Sequence, residues 1–187
     1  MDQDKIQILI GPEEIMKKVR DLGQQISRDY AGKELLVVGI LKGAIVFMAD
    51  LIRQIDLPLV IDFMDISSYG NSAVTSGEVR IIKDLEFSIY NQEVLIVEDI
   101  VDTGLTLGYI LDVLKKREPK SIKICCLLDK PSRRKSEIKP DYVGFVIDDE
   151  FVVGYGLDYA ENYRNHPAVC ILEQSVYEEI DEEIFDI

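Results

Sequence analysis

Between Glu34 and Leu41 the run Leu-Leu-Val-Val-Gly-Ile-Leu is apolar at every position and leaves no polar face for water. A strand of this kind has to be covered on both sides, the condition of a parallel strand in a sheet flanked by helices. Glu93–Val97 and Ser121–Leu128 are built the same way, and Leu59–Ile66 alternates well enough to be a further strand. Helical patterns lie between them. Ile15, Val19, Leu22 and Ile26 recur at spacings of four, three and four between Pro12 and Arg28, with Gly32 as a stop. Ala44–Arg53 reads as a helix buried on most faces, and Gly104–Arg117 carries Leu107, Ile110, Leu111 and Leu114 on one side. Strand, helix and strand in alternation give right-handed crossovers and an open α/β sheet, which binds ligands beyond the carboxyl ends of its strands.

With 187 residues, 47% of them hydrophobic, one domain spanning residues 1–187 is expected. No run reaches the roughly 18 uninterrupted apolar residues that cross a bilayer, and the opening Met-Asp-Gln-Asp-Lys lacks the order of a secretory signal. No membrane association and a cytoplasmic location are expected. Cys125, Cys126 and Cys170 sit inside apolar runs with no CxxC spacing and read as buried thiols. The net charge of −14 repels phosphate backbones, so nucleic acid is not an expected partner. The acidic tail from Glu173 to Ile187 has the spacing of a solvated surface helix.

The chemistry concentrates where the buried strand Val94–Val97 runs into Glu98 and Asp99, then Asp102, Thr103, Gly104, Leu105 and Thr106, then a helix. Backbone N–H groups from Asp102 to Thr106 can converge on an anion. The hydroxyls of Thr103 and Thr106 add donors, Gly104 permits close approach, and the helix N-terminus adds positive potential. Neither GxxxxGK[ST] nor GxGxxG occurs, so the anion is better read as a monophosphate than as part of a nucleotide triphosphate or dinucleotide. Glu98 and Asp99 would repel that phosphate, which makes sense if they face ribose hydroxyls or a bound metal ion.

From Val97 to Thr106, two acids followed by Asp-Thr-Gly-x-Thr, the chain resembles the phosphoribosyl pyrophosphate motif of type I phosphoribosyltransferases. Further segments, over roughly residues 10 to 172, resemble the hypoxanthine-guanine branch in its short bacterial form. The resemblance implies an open, mainly parallel twisted sheet with a small hood formed by N- and C-terminal segments. It also implies binding of pyrophosphate at Leu41, Lys42 and Gly43, after an unusual cis peptide before the lysine, with Arg164 as a guanidinium contact. Lys130 matches the lysine that donates to the exocyclic oxygen of an oxopurine. A donor-only ammonium suits that carbonyl and not the amino group of adenine. Phe151 would stack on the base and Val152 would read its edge, while Asp158 matches a carboxylate near a second magnesium.

Ser68 and Tyr69 match the pair in a long loop that closes over the reaction centre, and the turn-rich stretch Ser67–Glu78 suits a lid that excludes water. Leu105 stands where many relatives carry a lysine, which leaves the phosphate to backbone amides. The implied reaction transfers a 5-phosphoribosyl group to N9 of hypoxanthine or guanine. Mg²⁺ is the cofactor, held by Glu98, Asp99 and Asp158, and Asp102 is the candidate base at N7. A homodimer or homotetramer is expected. Two rivals have other signatures: a regulatory protein of the same fold that binds RNA would need a basic face, and a phosphoribosyltransferase for adenine, xanthine, orotate or uracil would fail with oxopurines of the hypoxanthine type.

Overall fold

The computed structural model describes residues 5–68 and 79–176. In chain order the elements are β1 (Ile6–Ile10), α1 (Pro12–Asp29), β2 (Leu35–Leu41), α2 (Ile45–Ile52), β3 (Leu59–Ser68), β4 (Val79–Lys83), β5 (Glu93–Val101), α3 (Leu105–Lys115), β6 (Ser121–Asp129), β7 (Tyr142–Val146), β8 (Val152–Val153) and β9 (Val169–Leu172), with a short 3-10 turn at Pro131–Arg133 after β6. Pro12 opens α1, with Glu13 and Glu14 in its first turn and Arg28 in its last, the charge order that the helix dipole favours.

Six strands form one sheet in the order β4-β3-β2-β5-β6-β7. All neighbours are parallel except the antiparallel edge pair β3–β4. The sheet grows outward in both directions from its centre: β2 leads through α2 to β3 on one side, and β5 leads through α3 to β6 on the other. The reversal lies between β2 and β5, which pair Leu35 with Glu93 and Gly39 with Val97, and the crevice above such a switch point is where open α/β sheets hold their ligands.

Consecutive apolar residues divide between two cores, as the continuous runs require. Leu35, Val37, Leu95, Val97, Cys125 and Leu127 pack under α1 and α2, with Ile15, Val19, Leu22, Ile26, Phe47 and Leu51 supplied by those helices. On the opposite face Leu36, Val38, Val94, Ile96, Ile124 and Cys126 meet Leu107, Ile110, Leu111 and Leu114 of α3. The three cysteines are free and buried, as expected, and burial raises the thiol pKa of each. No helix among the described residues is long and apolar enough to cross a membrane.

Strand β5 is longer than the apolar run predicts. Its pairing with β6 continues through Glu98–Cys126, Ile100–Leu128 and Val101–Asp129, because ladder hydrogen bonds use backbone groups and do not require apolar side chains. The two acids are thereby placed on a rigid strand instead of a loop. The hood is a second, antiparallel sheet in the order β1-β9-β8, which joins an N-terminal strand to late ones. Residues 69–78 and 177–187, which include Tyr69, most of the expected lid and most of the acidic tail, lie outside the described residues.

Leu95 is fully buried in the central strand. Leu95→Ala is expected to cost about 2–5 kcal/mol in urea unfolding; a loss below about 1 kcal/mol would contradict the central place of β5 in the core.

Candidate active site

The carboxyl end of β5 delivers Glu98 and Asp99, each partly buried, into the crevice at the switch point. The chain then turns through Asp102 and Thr103 to Gly104, which caps α3 with φ 76°. Glycine is required there twice over. Positive φ disfavours a side chain, and a Cβ would collide with the Ser136 hydroxyl oxygen. A small hollow lined by Glu98, Ile100, Val101, Asp102, Thr103, Gly104, Thr106 and Leu107 sits at the start of α3, where the first-turn N–H groups of a helix and its dipole favour an anion. Leu105 is more than half exposed at this turn. The hollow lies where the sequence analysis expects the phosphate cradle.

Across the crevice, the Leu41–Lys42 peptide at the end of β2 is cis, as the resemblance implies. Gly43 follows, packed so closely on Asp99 that a Cβ would overlap the carboxylate. Gly156, at φ 104°, packs in turn on the Gly43 carbonyl. This brings the segment after β8 over the switch point. There Arg164 donates from Nη1 to the Gly156 carbonyl at 2.9 Å and pairs through Nη2 with Asp158 at 2.8 Å and Glu161 at 3.3 Å. Lys42 Nζ meets the other Glu161 oxygen at 3.0 Å. Tyr155, Ala160, Glu161 and Tyr163 all have positive φ, a concentration of sparsely populated backbone beside the crevice.

The third wall comes from the end of β6. Lys130 is buried and its Nζ donates to the Glu150 carbonyl at 2.6 Å, tying the turn after β6 to the segment that leads into β8. Phe151 is 40% exposed and meets Tyr159 edge-on with ring centroids 5.6 Å apart. Val152 is buried in β8. Asp102 accepts from Arg133 Nε at 2.9 Å, and Arg133 Nη1 also reaches Asp149 at 3.2 Å. Arg134 donates from Nε to the Asp102 carbonyl at 3.0 Å and from Nη2 to the Val101 carbonyl at 3.2 Å. Sequence reasoning missed Arg133, Arg134 and Glu161. The basic pair in Asp-Lys-Pro-Ser-Arg-Arg-Lys was the available signal, but a turn rich in lysine and arginine usually means solvent.

Electrostatics separate the acids. Burial lifts the Glu98 carboxyl well above the usual carboxylate range, and the adjacent Asp99 adds to the shift. Burial pushes Asp99 up to about 6, against opposing hydrogen bonds from backbone N–H groups and the nearby positive charge of Arg164, while Asp158 adds to the rise. Two carboxyls disfavoured as anions in one crevice fit a site that gains a cation with its ligand. Glu98, Asp99 and Asp158 do not close into one cage: among the described residues no three His, Cys, Asp or Glu side chains form a metal-binding group. Magnesium suits such a site, because it commonly takes one or two carboxylates and completes its shell with water and substrate oxygens. Ser68 ends β3, and Tyr69 lies outside the described residues.

A hollow at a helix N-terminus and an acid pair at the switch point suit a sugar phosphate, and known proteins give the chain a family. The phosphoribosyl transferase domain model matches residues 7–160, and the chain belongs to that family. Its likeness extends to the hypoxanthine-guanine members. It is 56% identical over 178 residues to the hypoxanthine-guanine phosphoribosyltransferase of Bacillus subtilis, covering 95% of this chain and 99% of that protein. A crystal structure of a hypoxanthine phosphoribosyltransferase from Staphylococcus aureus superposes with a TM-score of 0.90 at 52% identity, covering 93% of this chain and 95% of the other. The Bifunctional protein TilS/HprT of Listeria monocytogenes is 53% identical over 96% of this chain, which spans 28% of that longer protein.

For an acid whose folded pKa is raised, the native state binds more protons than the unfolded one between the two values, so stability rises as pH falls through that window. Asp99→Asn should therefore stabilise the protein at pH 8 by about 1–2 kcal/mol after allowance for solvent screening. The gain should shrink as pH drops through about 6. Urea unfolding across pH 5–8 measures it, and a pH-independent difference would remove burial as the cause.

Proposed function

We propose that this protein transfers the 5-phosphoribosyl group of phosphoribosyl pyrophosphate to N9 of hypoxanthine or guanine, releasing pyrophosphate and forming IMP or GMP in purine salvage. The observation that carries the reading is the contact of Gly43 with Asp99 beneath Gly156, which unites three segments far apart in sequence at one crevice. The family membership, and the full-length similarity to hypoxanthine-guanine enzymes, support it.

In this reading the 5'-phosphate occupies the Asp102–Thr106 cradle, and Glu98 and Asp99 face the ribose hydroxyls. Pyrophosphate lies along the backbone of Leu41–Gly43, with Arg164 beside it. Glu98, Asp99 and, on the opposite side, Asp158 would hold Mg²⁺, which supplies charge neutralisation for the departing pyrophosphate. Phe151 stacks on the purine, Val152 reads its edge, and Lys130 turns a remaining ammonium proton to the exocyclic oxygen. The bond from C1 of ribose to pyrophosphate breaks, N9 of the base forms the new bond to C1, and the N7 proton passes to Asp102. Ser68 and Tyr69 belong to the lid that keeps water from the reactive sugar. A cytoplasmic single-domain enzyme is consistent with three reduced, buried thiols. Assembly into a homodimer or homotetramer fits the exposed apolar residues Val60, Ile61 and Ile82 on the outer strands β3 and β4.

An absorbance assay with phosphoribosyl pyrophosphate and Mg²⁺ tests the reading, with turnover expected for hypoxanthine and guanine but not adenine; turnover of none of the three would overturn it. Asp102→Asn should keep both substrates' binding but lower kcat by roughly 10²–10⁴; parental turnover would take Asp102 out of the base role. Lys130→Met should raise KM for the purine far more than KM for phosphoribosyl pyrophosphate, since both contacts it removes, to the oxopurine carbonyl and to the Glu150 carbonyl, lie on the purine side of the crevice.

A further inference from the structure

We propose that Arg133 is a positioning residue for the transfer step, holding Asp102 so that one carboxylate oxygen is presented to the purine. The inference rests on the assignment of Asp102 as the group that receives the N7 proton. Arg133 Nε binds one oxygen of Asp102, Oδ1, at 2.9 Å and leaves Oδ2 unclaimed by that contact. The opposite side of the same guanidinium reaches both oxygens of Asp149, at 3.4 and 3.2 Å from Nη1. Asp102 belongs to the phosphate cradle, whereas Asp149 directly precedes Glu150 and Phe151, the segment that Lys130 grips through the Glu150 carbonyl. Arg133 therefore joins two walls of the purine site from the turn that begins with the oxopurine-recognising lysine.

An arginine suits this place better than a lysine. Its planar fork engages two carboxylates at fixed angles, so the orientation of one is set by the position of the other. An ordinary exposed ion pair contributes little, because solvent screens it and two long side chains must be ordered. Here Asp102 is also fixed from behind: Arg134 binds its carbonyl, and the Lys135 N–H donates to the Thr103 carbonyl at 2.9 Å. With its backbone held, the remaining freedom of Asp102 is side-chain rotation, and that is the freedom Arg133 removes. Misdirection of a proton acceptor by even a fraction of its hydrogen-bond length slows the step it serves.

Steady-state and single-turnover kinetics on the full chain with hypoxanthine, phosphoribosyl pyrophosphate and Mg²⁺ test the proposal. Arg133→Gln is expected to lower kcat roughly tenfold while KM for phosphoribosyl pyrophosphate stays within about twofold. Asp149→Asn should give a smaller loss of the same kind, because Arg133 keeps Asp102 as a partner but loses the charge that fixes the angle of its guanidinium. In an Asp102→Ala background, Arg133→Gln should cost almost nothing further, because a residue that acts through Asp102 has nothing left to orient. Parental kcat in Arg133→Gln, or a full tenfold loss on top of Asp102→Ala, would overturn the positioning role. Parental turnover in Asp102→Ala alone would instead remove the assignment of Asp102 on which the proposal rests.

Discussion

Two adjacent carboxyls at the end of a strand walled in on both faces set the terms for everything around them. Glu98 and Asp99 reach the crevice because β5 continues to pair with β6 beyond its apolar run, and burial there opposes their ionisation. Carboxyls held back from ionisation in this way suit a site that gains a cation with its ligand. The neighbouring groups fit that need. Gly43 offers no side chain that would shield Asp99, Arg164 stands close enough to oppose its rise in pKa, and the N-terminus of α3 offers its own positive potential to an anion a few residues further on. The acid pair and the helix N-terminus, which favour ligands of opposite charge, are separated along one turn of chain.

Much of this was legible in the amino-acid sequence because the large elements carry strong periodic signals. β2, β5 and β6 are continuous apolar runs, α1 has an apolar stripe, and the acids, small hydroxyl residues and glycine at residues 98–106 fall at the turn from β5 into α3. The helix and strand limits moved by a few residues at most, except at the end of β5, where backbone pairing overrode side-chain polarity. The hood was legible only through resemblance. β1, β8 and β9 have two to five residues each, too short for a period to declare itself, and what makes them strands is pairing across most of the chain length.

Contacts made by single long side chains were the least visible. Nothing local distinguishes Arg133, Arg134 and Glu161 from other charged residues in polar turns, since their roles depend on which carbonyl or carboxylate the fold brings within reach. Lys130 illustrates the same point in reverse: as a lysine after a strand it is unremarkable, yet it is buried and spends a proton on the Glu150 carbonyl. The segments after β6 and around β8 thus form a network whose members are ordinary as sequence and specific only as geometry.

The hood also has a bearing on how the molecule comes into being. Among the described residues β1 pairs with β9 alone, and β8, which follows directly on Phe151, pairs with β9 on its other edge. On a ribosome adding about 5–20 residues each second, the first strand would wait on the order of 10–30 s for β9 to emerge. The strands of the main sheet, ending at Val146, are complete before then. A nascent chain can hence complete the turn from Asp102 to Thr106 and the start of α3 before β8, which follows directly on Phe151, has β9 to pair with.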